Sequence, residues 1–438
     1  MNKNIEIKKV GINGEGIGYL DRKIVFVPGA LPGEEVVVDI VKRNRGYSEG
    51  KLVKILKPSK NRVKPQCFLY DNCQGCNMMH MTYLSQLKEK KEAVRESIRK
   101  YSEYDLSKTV FKDVIKADKQ TGYITSVNLP VVRFKDKITF GIYQRESKYL
   151  TVMNRCLKHH PLINQCLNDL ETILTNEDCR VYNDKFKTGL RFLKVKLVED
   201  KIQLVFITGR DGLSDQTVKQ ISQLPYVAGI FMSVNTSKYQ EFDETGYSKL
   251  YGSSRLEMYH DDKKYLVGIK TKLPENIDMM WKENQIVKTM VKDSQKIISI
   301  NCKAGFLELN LDQEEIIAID EKKYHIEDAK LNAKYLNRDN VKFIAGKVDE
   351  RIVTHAKKKI YDTLIIHGDR TKISERIINT IKIARFNTVI YISQSHSSLA
   401  KDIAELDKSY DIERIAGLDT SCHNTYLTTI VKLVRKAR

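Results

Sequence analysis

The sequence contains no apolar run that approaches the roughly 18 residues needed to cross a membrane, and residues 1–10 lack the apolar core of a signal peptide. We therefore expect a cytoplasmic protein that is not bound to a membrane, and we separately expect it to be a monomer. Its eight cysteines would then lie in a reducing compartment, which favours metal ligation or free thiols over disulfides. The composition is not that of a disordered chain, because 41% of the 438 residues are hydrophobic and can form a full core.

Acidic residues are too few to balance the basic ones. The chain has 75 lysines and arginines against 56 aspartates and glutamates, a formal net charge of +19. This excess favours a polyanionic partner such as nucleic acid. Proline is also scarce, and a lysine-rich, proline-poor composition can reflect a biased genome, so the distribution of charge is more informative than its total. Residues 42–64 hold nine basic residues and one acidic residue, Glu49, which predicts a phosphate-contacting surface.

Residues 1–57 alternate short apolar runs with glycine-containing turns, which predicts a small five-stranded barrel of the oligonucleotide-binding kind. Gly14, Gly16 and Gly18 superficially match a dinucleotide-binding loop, but no helical pattern follows them, so we interpret them as hairpin turns. The barrel residues expected to contact RNA carry positive charge or a ring that can stack on a base. They are Lys42, Arg43, Arg45, Tyr47 and Lys51. The alternative is a solvated basic surface without a ligand.

Three cysteines follow the barrel at C-x5-C-x2-C spacing: Cys67, Cys73 and Cys76. Gly75 permits the tight turn that lets neighbouring thiolates converge, and Cys156 is the best candidate for a fourth ligand. Three clustered thiols with a remote fourth suit an iron–sulfur cluster better than a zinc ribbon, which usually pairs two short arms. The alternative is a set of reduced thiols without a metal.

The rest of the chain predicts two further structural regions. Residues 83–101 have the apolar spacing of a helix, and residues 105–270 are mostly strand-like, which indicates a central antiparallel α+β domain. From residue 276 onward, strands and helices alternate, as in a doubly wound α/β sheet. Asp320 ends the second of these strands, where a carboxylate can accept hydrogen bonds from ribose hydroxyls.

The cysteine segment, together with Cys156, resembles the cluster-binding part of the RNA uracil-5-methyltransferases, which act on ribosomal or transfer RNA with S-adenosylmethionine. The runs EGIGYL and VPGALPGEEV resemble the TRAM domain that precedes many of these enzymes. The resemblance implies a TRAM barrel over 1–57, an iron–sulfur domain over 58–275 and a Rossmann-like class I methyltransferase domain over 276–438, against which helix 83–101 is expected to pack. It also implies a 4Fe–4S cluster and structured RNA as the partner. The ligand sets it implies are Cys67, Cys73, Cys76 and Cys156 for the cluster, and Gly305 and Asp320 for S-adenosylmethionine.

The residues that perform the family's chemistry are substituted in this sequence. Carbon C5 of uracil is a poor nucleophile, so these enzymes add a cysteine thiolate to C6, and a base later removes the C5 proton. The family's Ser-Cys-Asn-Pro motif falls on residues 393–396, with Gln394 at the nucleophile position. Its His-x-Glu motif falls on residues 426–428, with Thr428 at the position of the base.

Two further motifs of the family have also changed. The cofactor loop Asp-x-Tyr-Cys-Gly-x-Gly falls on residues 299–305, with Ser299 for the aspartate and Lys303 for a glycine. Lys303 places a side chain where backbone must approach the cofactor closely. The Asp-Pro-Pro-Arg motif falls on residues 367–370, with His367 in place of the aspartate.

These substitutions predict an RNA-binding protein of the methyltransferase family in which methyl transfer is lost. One alternative is an active uracil-5-methyltransferase that uses Cys302 or Cys422 as a relocated nucleophile. A second alternative is a scaffold for a protein partner. The sequence does not identify the RNA or the nucleotide.

Overall fold

The computed structural model describes residues 2–73, 75–143, 150–153, 155–237 and 246–437. The chain divides into two compact units. Unit 1 comprises residues 1–118, 368–378 and 390–438, and unit 2 comprises residues 119–367 and 379–389. The three consecutive domains expected from the sequence are a different division, which stays a prediction. Within the described ranges, no helix has both the length and the apolar character of a membrane span.

The helices and strands are numbered along the chain. The strands are β1 (Asn2–Val10), β2 (Gly16–Leu20), β3 (Lys23–Val27), β4 (Glu35–Arg43), β5 (Tyr47–Lys57), β6 (Val110–Phe111), β7 (Ser126–Phe134), β8 (Lys137–Tyr143), β9 (Leu150–Val152), β10 (Leu190–Val198), β11 (Lys201–Thr208), β12 (Val227–Val234), β13 (Ser248–Gly252), β14 (Arg255–His260), β15 (Lys263–Gly268), β16 (Lys296–Ile300), β17 (Glu315–Asp320), β18 (Val341–Ala345), β19 (Thr363–His367), β20 (Thr388–Ser393), β21 (Tyr410–Leu418) and β22 (Thr428–Arg435). The helices are α1 (Tyr70–Cys73), α2 (Tyr83–Tyr101), α3 (Pro161–Asn176), α4 (Asp215–Ser222), α5 (Ile277–Met290), α6 (Lys323–Tyr335), α7 (Val348–Ala356), α8 (Glu375–Ala384) and α9 (His396–Ala404).

The first five strands of unit 1 form a closed barrel in the order β1-β2-β3-β5-β4, which confirms the predicted fold of this region. Alternate residues of β4, Val36 and Val38, are fully buried, because successive side chains of a strand point to opposite faces. The prediction of three glycine turns is only partly right. Gly14 lies in a turn, with φ of +86°. Gly16 and Gly18 lie within β2, where a Cβ atom would come within 2.8 Å of a neighbouring carbonyl oxygen.

The remainder of unit 1 combines helices α2 and α9 with four strands in the order β20-β22-β21-β6, of which β20 begins in unit 2. Helix α2 has the predicted bounds, and it buries Leu87, Val94 and Ile98 on one face. Its last residue is Tyr101, and the hydroxyl of the following Ser102 donates to the carbonyl of Ile98 at 2.7 Å, which satisfies one of the helix's last acceptors.

Unit 2 contains a seven-stranded sheet with the order β13-β12-β11-β10-β7-β8-β9. The prediction of a central antiparallel domain holds for the other pairs of this sheet but is wrong for β11 and β12, which are parallel. Helix α4 makes the crossover that a parallel pair requires, and Ser214 caps its first turn by accepting from the Thr217 amide at 3.1 Å. Unit 2 also contains four parallel strands in the order β18-β17-β16-β19, as expected for an α/β fold.

Candidate functional site

The five barrel residues predicted to contact RNA are all exposed and lie on the neighbouring strands β4 and β5 and the turn that joins them. Lys42 forms an ion pair with Glu49 at 3.3 Å, so part of its charge is balanced within the barrel. The ring of Tyr47 contacts Phe26 edge to face, with the ring centroids 5.5 Å apart, and 39% of the residue remains accessible for stacking. The structure thus brings the predicted set together, and its function in RNA binding stays a prediction.

Cys73 is the last residue of the single-turn helix α1, Cys67 and Cys76 lie on either side of this helix in the sequence, and all three cysteines are partly exposed. A Cβ atom on Gly75 would lie 3.2 Å from the sulfur of Cys73, so glycine allows the chain to turn tightly here. Cys156 belongs to unit 2, where Asn164 holds its backbone through hydrogen bonds to its amide and carbonyl of 3.1 and 3.0 Å. In the described part of the chain, which omits Gln74, no group of three or more His, Cys, Asp or Glu side chains is arranged to hold a metal ion. The iron–sulfur cluster therefore stays a prediction.

Gln394 lies exposed at the bend between strand β20 and helix α9. Ser393 fixes the bend, because its buried hydroxyl donates to the Asp369 carbonyl at 3.3 Å and accepts from the Ser395 amide at 3.1 Å. Ser395 in turn caps helix α9. A glutamine amide does not ionise and cannot add to C6 of uracil, so residue 394 presents no nucleophile.

Thr428 begins strand β22 and is almost completely buried. Its hydroxyl forms a hydrogen bond with the hydroxyl of Thr420 at 2.8 Å. A threonine hydroxyl does not ionise near neutral pH, so this position cannot supply the base of the uracil reaction. Nearby, the guanidinium of Arg370 lies 3.8 Å from the centroid of the Tyr426 ring, a cation–π contact that fixes the Tyr426 side chain.

Cys422 lies in a loop that helix α2 anchors through buried groups. The Lys90 ammonium contacts the Asp419 carboxylate at 2.6 Å, and both side chains are inaccessible to solvent. The Tyr83 hydroxyl lies 3.8 Å from the Cys422 sulfur. Burial, together with the charge of Asp419, raises the pKa of the Cys422 thiol to about 12. Since the thiolate is the reactive form, these contacts favour a structural role for Cys422.

The predicted cofactor residues lie in unit 2, around the carboxyl ends of β16 and β17. Asp320 accepts hydrogen bonds from the Lys303 amide at 2.9 Å and the Lys322 amide at 2.8 Å, and it contacts His325 at 3.1 Å. Although burial opposes the shift, these hydrogen bonds lower the pKa of the Asp320 carboxyl, so the group is an acceptor at neutral pH. A carboxylate can accept about four hydrogen bonds, so one acceptor position is left for a ribose hydroxyl. This residue therefore fits the cofactor.

The glycine loop before β17 fits the cofactor less well. Gly305 has φ of +72°, which suits a glycine, but Lys303 has φ of +53°, a conformation that side chains with a Cβ atom adopt with strain. Cys302 and Ala304, the residues on either side of Lys303, are buried. Burial raises the pKa of the Cys302 thiol well above its usual value, and the charges of Glu308 and Asp320 act in the same direction. Cys302 is therefore a poor candidate for a nucleophile.

The structure also reveals a functional candidate that the sequence pattern did not indicate. Glu308 is fully buried, and its Oε1 atom accepts from the Ser299 hydroxyl at 2.6 Å and lies 2.9 Å from Nε2 of His367. In the resemblance to the uracil-5-methyltransferase motifs, Ser299 and His367 stand at the two positions where those motifs have an aspartate. The absence of an aspartate at both positions is the one feature of the sequence that could have directed attention to another carboxyl group in this region, namely that of Glu308.

Comparison with known proteins gives consistent matches over the whole chain. Residues 2–53 match the TRAM domain family. An uncharacterized RNA methyltransferase of Bacillus cereus is 30% identical over 444 aligned positions, which cover 99% of this chain and 96% of the relative. An uncharacterized RNA methyltransferase of Streptococcus pneumoniae is 28% identical over 443 positions, covering 99% and 98%. The crystal structure of Pyrococcus abyssi tRNA (uracil-54, C5)-methyltransferase with S-adenosyl-L-homocysteine superposes with a TM-score of 0.78 and 22% identity, over 99% of this chain and 100% of that one. This last match establishes the similarity of fold.

Proposed function

Because this chain belongs to the RNA methyltransferases that carry a TRAM domain, we propose that it binds structured ribosomal or transfer RNA but does not methylate uracil C5 through a covalent adduct. The observation that carries the second half of this proposal is the exposed amide of Gln394 at the bend after β20. Without a thiolate there, C5 of uracil is not activated for attack on a methyl group. The buried hydroxyl of Thr428 also cannot remove the C5 proton.

RNA binding is supported by the TRAM match and by the five exposed barrel residues that include Arg43, Arg45 and Tyr47. Cationic side chains neutralise phosphates, and an exposed ring stacks on any base, so this surface suits a polyanion with unpaired bases. The resemblance to the RNA uracil-5-methyltransferases suggests ribosomal or transfer RNA, and the structure of similar fold belongs to an enzyme named for transfer RNA.

For the cofactors, Asp320 and Gly305 are the proposed contacts of S-adenosylmethionine, which would supply an electrophilic methyl group when bound. Cys67, Cys73, Cys76 and Cys156 are the proposed ligands of a 4Fe–4S cluster. The described residues do not form a complete metal site, so no step of the proposed chemistry involves the cluster.

An active uracil-5-methyltransferase is the second candidate. Full-length similarity to proteins named as methyltransferases favours it, and the comparisons give no sign that activity has been lost. It requires a nucleophile other than residue 394, and the thiols nearest to the relevant motifs are Cys302 and Cys422. Both are buried, and burial raises the pKa of each. Their environment therefore counts against this candidate.

The deciding experiment incubates the purified full-length protein with 5-fluorouridine-containing RNA and S-adenosylmethionine. Fluorine at C5 cannot leave as a proton does, so a thiolate adduct is trapped. We expect RNA to be bound without any covalent species that survives denaturation. A stable band that disappears in Cys422→Ser or Cys302→Ser would instead establish the second candidate and identify its nucleophile.

A further inference from the structure

Glu308 and His367 form a carboxylate–imidazole pair at the carboxyl end of a parallel sheet. His367 is the last residue of β19, and Ser299 is the last but one of β16, which pairs directly with β19. Open α/β sheets bind their ligands outside the carboxyl ends of the strands. The pair therefore lies where ligand chemistry takes place in this class of fold.

The contacts of the pair define the state of the imidazole. Glu308 is fully buried, and its Oε1 atom is held by both the Ser299 hydroxyl and Nε2 of His367. A carboxylate accepts hydrogen bonds, so Nε2 carries the proton and Nδ1 of His367 keeps its lone pair. The His367 side chain is 14% exposed and is therefore not sealed from a ligand. A buried carboxylate that orients an imidazole in this way prepares it to take up a proton.

Other charged groups near the pair also affect a positive charge on His367. Burial raises the pKa of the Glu283 carboxyl, and the charges of His367 and Lys303 oppose that rise, so both groups lie close to Glu283. An imidazolium at His367 would thus face the carboxylates of Glu308 and Glu283, with Lys303 as the opposing charge.

We propose that His367, positioned by Glu308, is a general base for methyl transfer to a nitrogen or oxygen atom of RNA. A heteroatom nucleophile has its own lone pair and needs no thiolate adduct, so the reaction is compatible with Gln394. The lone pair of an N–H or O–H group forms the bond to the methyl carbon, while the electron pair of the broken C–S bond stays on the sulfur of S-adenosylmethionine. The proton of the N–H or O–H group passes to Nδ1 of His367. This inference goes beyond the proposed function and rests on its RNA binding.

The first test reads the imidazole directly, without RNA or cofactor. Long-range ¹H–¹⁵N correlation spectra distinguish the two histidine tautomers, and the signals of His367 are identified among the nine histidines by their loss in His367→Asn. We expect a proton on Nε2 and none on Nδ1 in the wild-type protein, and a mixture of tautomers in Glu308→Gln. A protonated Nδ1 in the neutral wild-type ring would overturn the proposal.

The second test measures methyl transfer from radiolabelled S-adenosylmethionine to total RNA from cells that lack the gene, followed by mass spectrometry of the nucleosides. We expect label on a nitrogen or oxygen atom, with a rate that falls by about 10²-fold or more in His367→Asn, the usual contribution of a general base. His355→Gln, in helix α7 and outside the pair, is the matched control and should retain the rate. RNA binding, measured in parallel by filter retention, should be unchanged in all variants.

The remaining outcomes count against the inference. Label found as 5-methyluridine would overturn it and support the second candidate function. Label on a heteroatom that is insensitive to His367→Asn would exclude His367 as the base. Absence of methyl transfer with intact RNA binding would overturn the inference alone, whereas absence of RNA binding would overturn the proposed function as well.

Discussion

At the scale of single residues, Lys303 best illustrates how a retained fold can hold an altered site. Its amide still donates to Asp320 at 2.9 Å, as the loop requires, while its φ of +53° lies in the left-handed region. That conformation costs an L-residue with a Cβ atom roughly 1–2 kcal/mol. The loop thus keeps its backbone conformation at position 303, although a lysine replaces the glycine that would adopt this conformation without strain.

Lys303→Gly should raise the free energy of unfolding, because glycine adopts positive φ without strain. The relief of roughly 1–2 kcal/mol is partly offset by the greater entropy of glycine in the unfolded chain, so we expect a net gain of about 0.5–1 kcal/mol. The same variant should bind S-adenosylhomocysteine more tightly in calorimetry, since the side chain is removed. Lys303→Ala is the control, because it removes the side chain but keeps the Cβ atom. Equal stability of the two variants would contradict the strain argument.

At the scale of secondary-structure elements, the sequence predicts a helix well when its signals are local, but it does not predict pairings and contacts between distant segments. The predicted bounds of helix α2 agree with the observed ones, because the periodic apolar residues and the residues that end the helix all lie within one short stretch of sequence. The central domain was expected to be antiparallel, whereas strands β11 and β12 pair in parallel, and the polar sequence of the intervening helix α4 carries no signal of a crossover. The anchoring of the Cys422 loop by Lys90 and Asp419 joins positions 329 residues apart and could not be inferred from either segment alone.

The segment around helix α1 permits a test of the predicted cluster. If Cys67, Cys73 and Cys76 ligate iron, protein purified without oxygen should be brown and contain iron and acid-labile sulfide, because soft thiolates select iron–sulfur clusters in a reducing compartment. Cys73→Ser should abolish the colour, whereas Cys166→Ser, at a buried cysteine within helix α3, should not. Stoichiometric zinc without sulfide would show that the prediction is wrong.

At the scale of the whole molecule, the chemical role was harder to infer from sequence than the architecture. The barrel and the parallel strands could be predicted from hydrophobic periodicity, and the family could be predicted from motifs. The contacts of Glu308 could not be predicted, because folding brings it next to Ser299, nine positions away, and His367, 59 positions away. Counting the substituted motif residues therefore indicated loss of function, whereas the three-dimensional structure shows a compact set of polar contacts at the carboxyl ends of parallel strands β16 and β19.

The net charge of +19 raises the question whether RNA binding is a property of the whole surface or of the barrel. Each phosphate contact contributes about 0.7–0.9 to the slope of log affinity against log salt, because it releases condensed counterions. Replacing Arg43, Arg45 and Lys51 with glutamine should therefore reduce the slope by about 2–3. Lys42 is left in place because it is already paired with Glu49.

The control for this experiment removes the same charge elsewhere. Lys357, Lys358 and Lys359 are consecutive exposed lysines after helix α7, and replacing them with glutamine lowers the net charge by the same three units. If the barrel makes the contacts, the control variant should keep the wild-type slope when affinity is measured by fluorescence anisotropy over a range of salt concentrations. An equal decrease of the slope in both variants would instead mean that the affinity for RNA depends on the net charge of the molecule, because the loss of direct phosphate contacts would affect only the barrel variant.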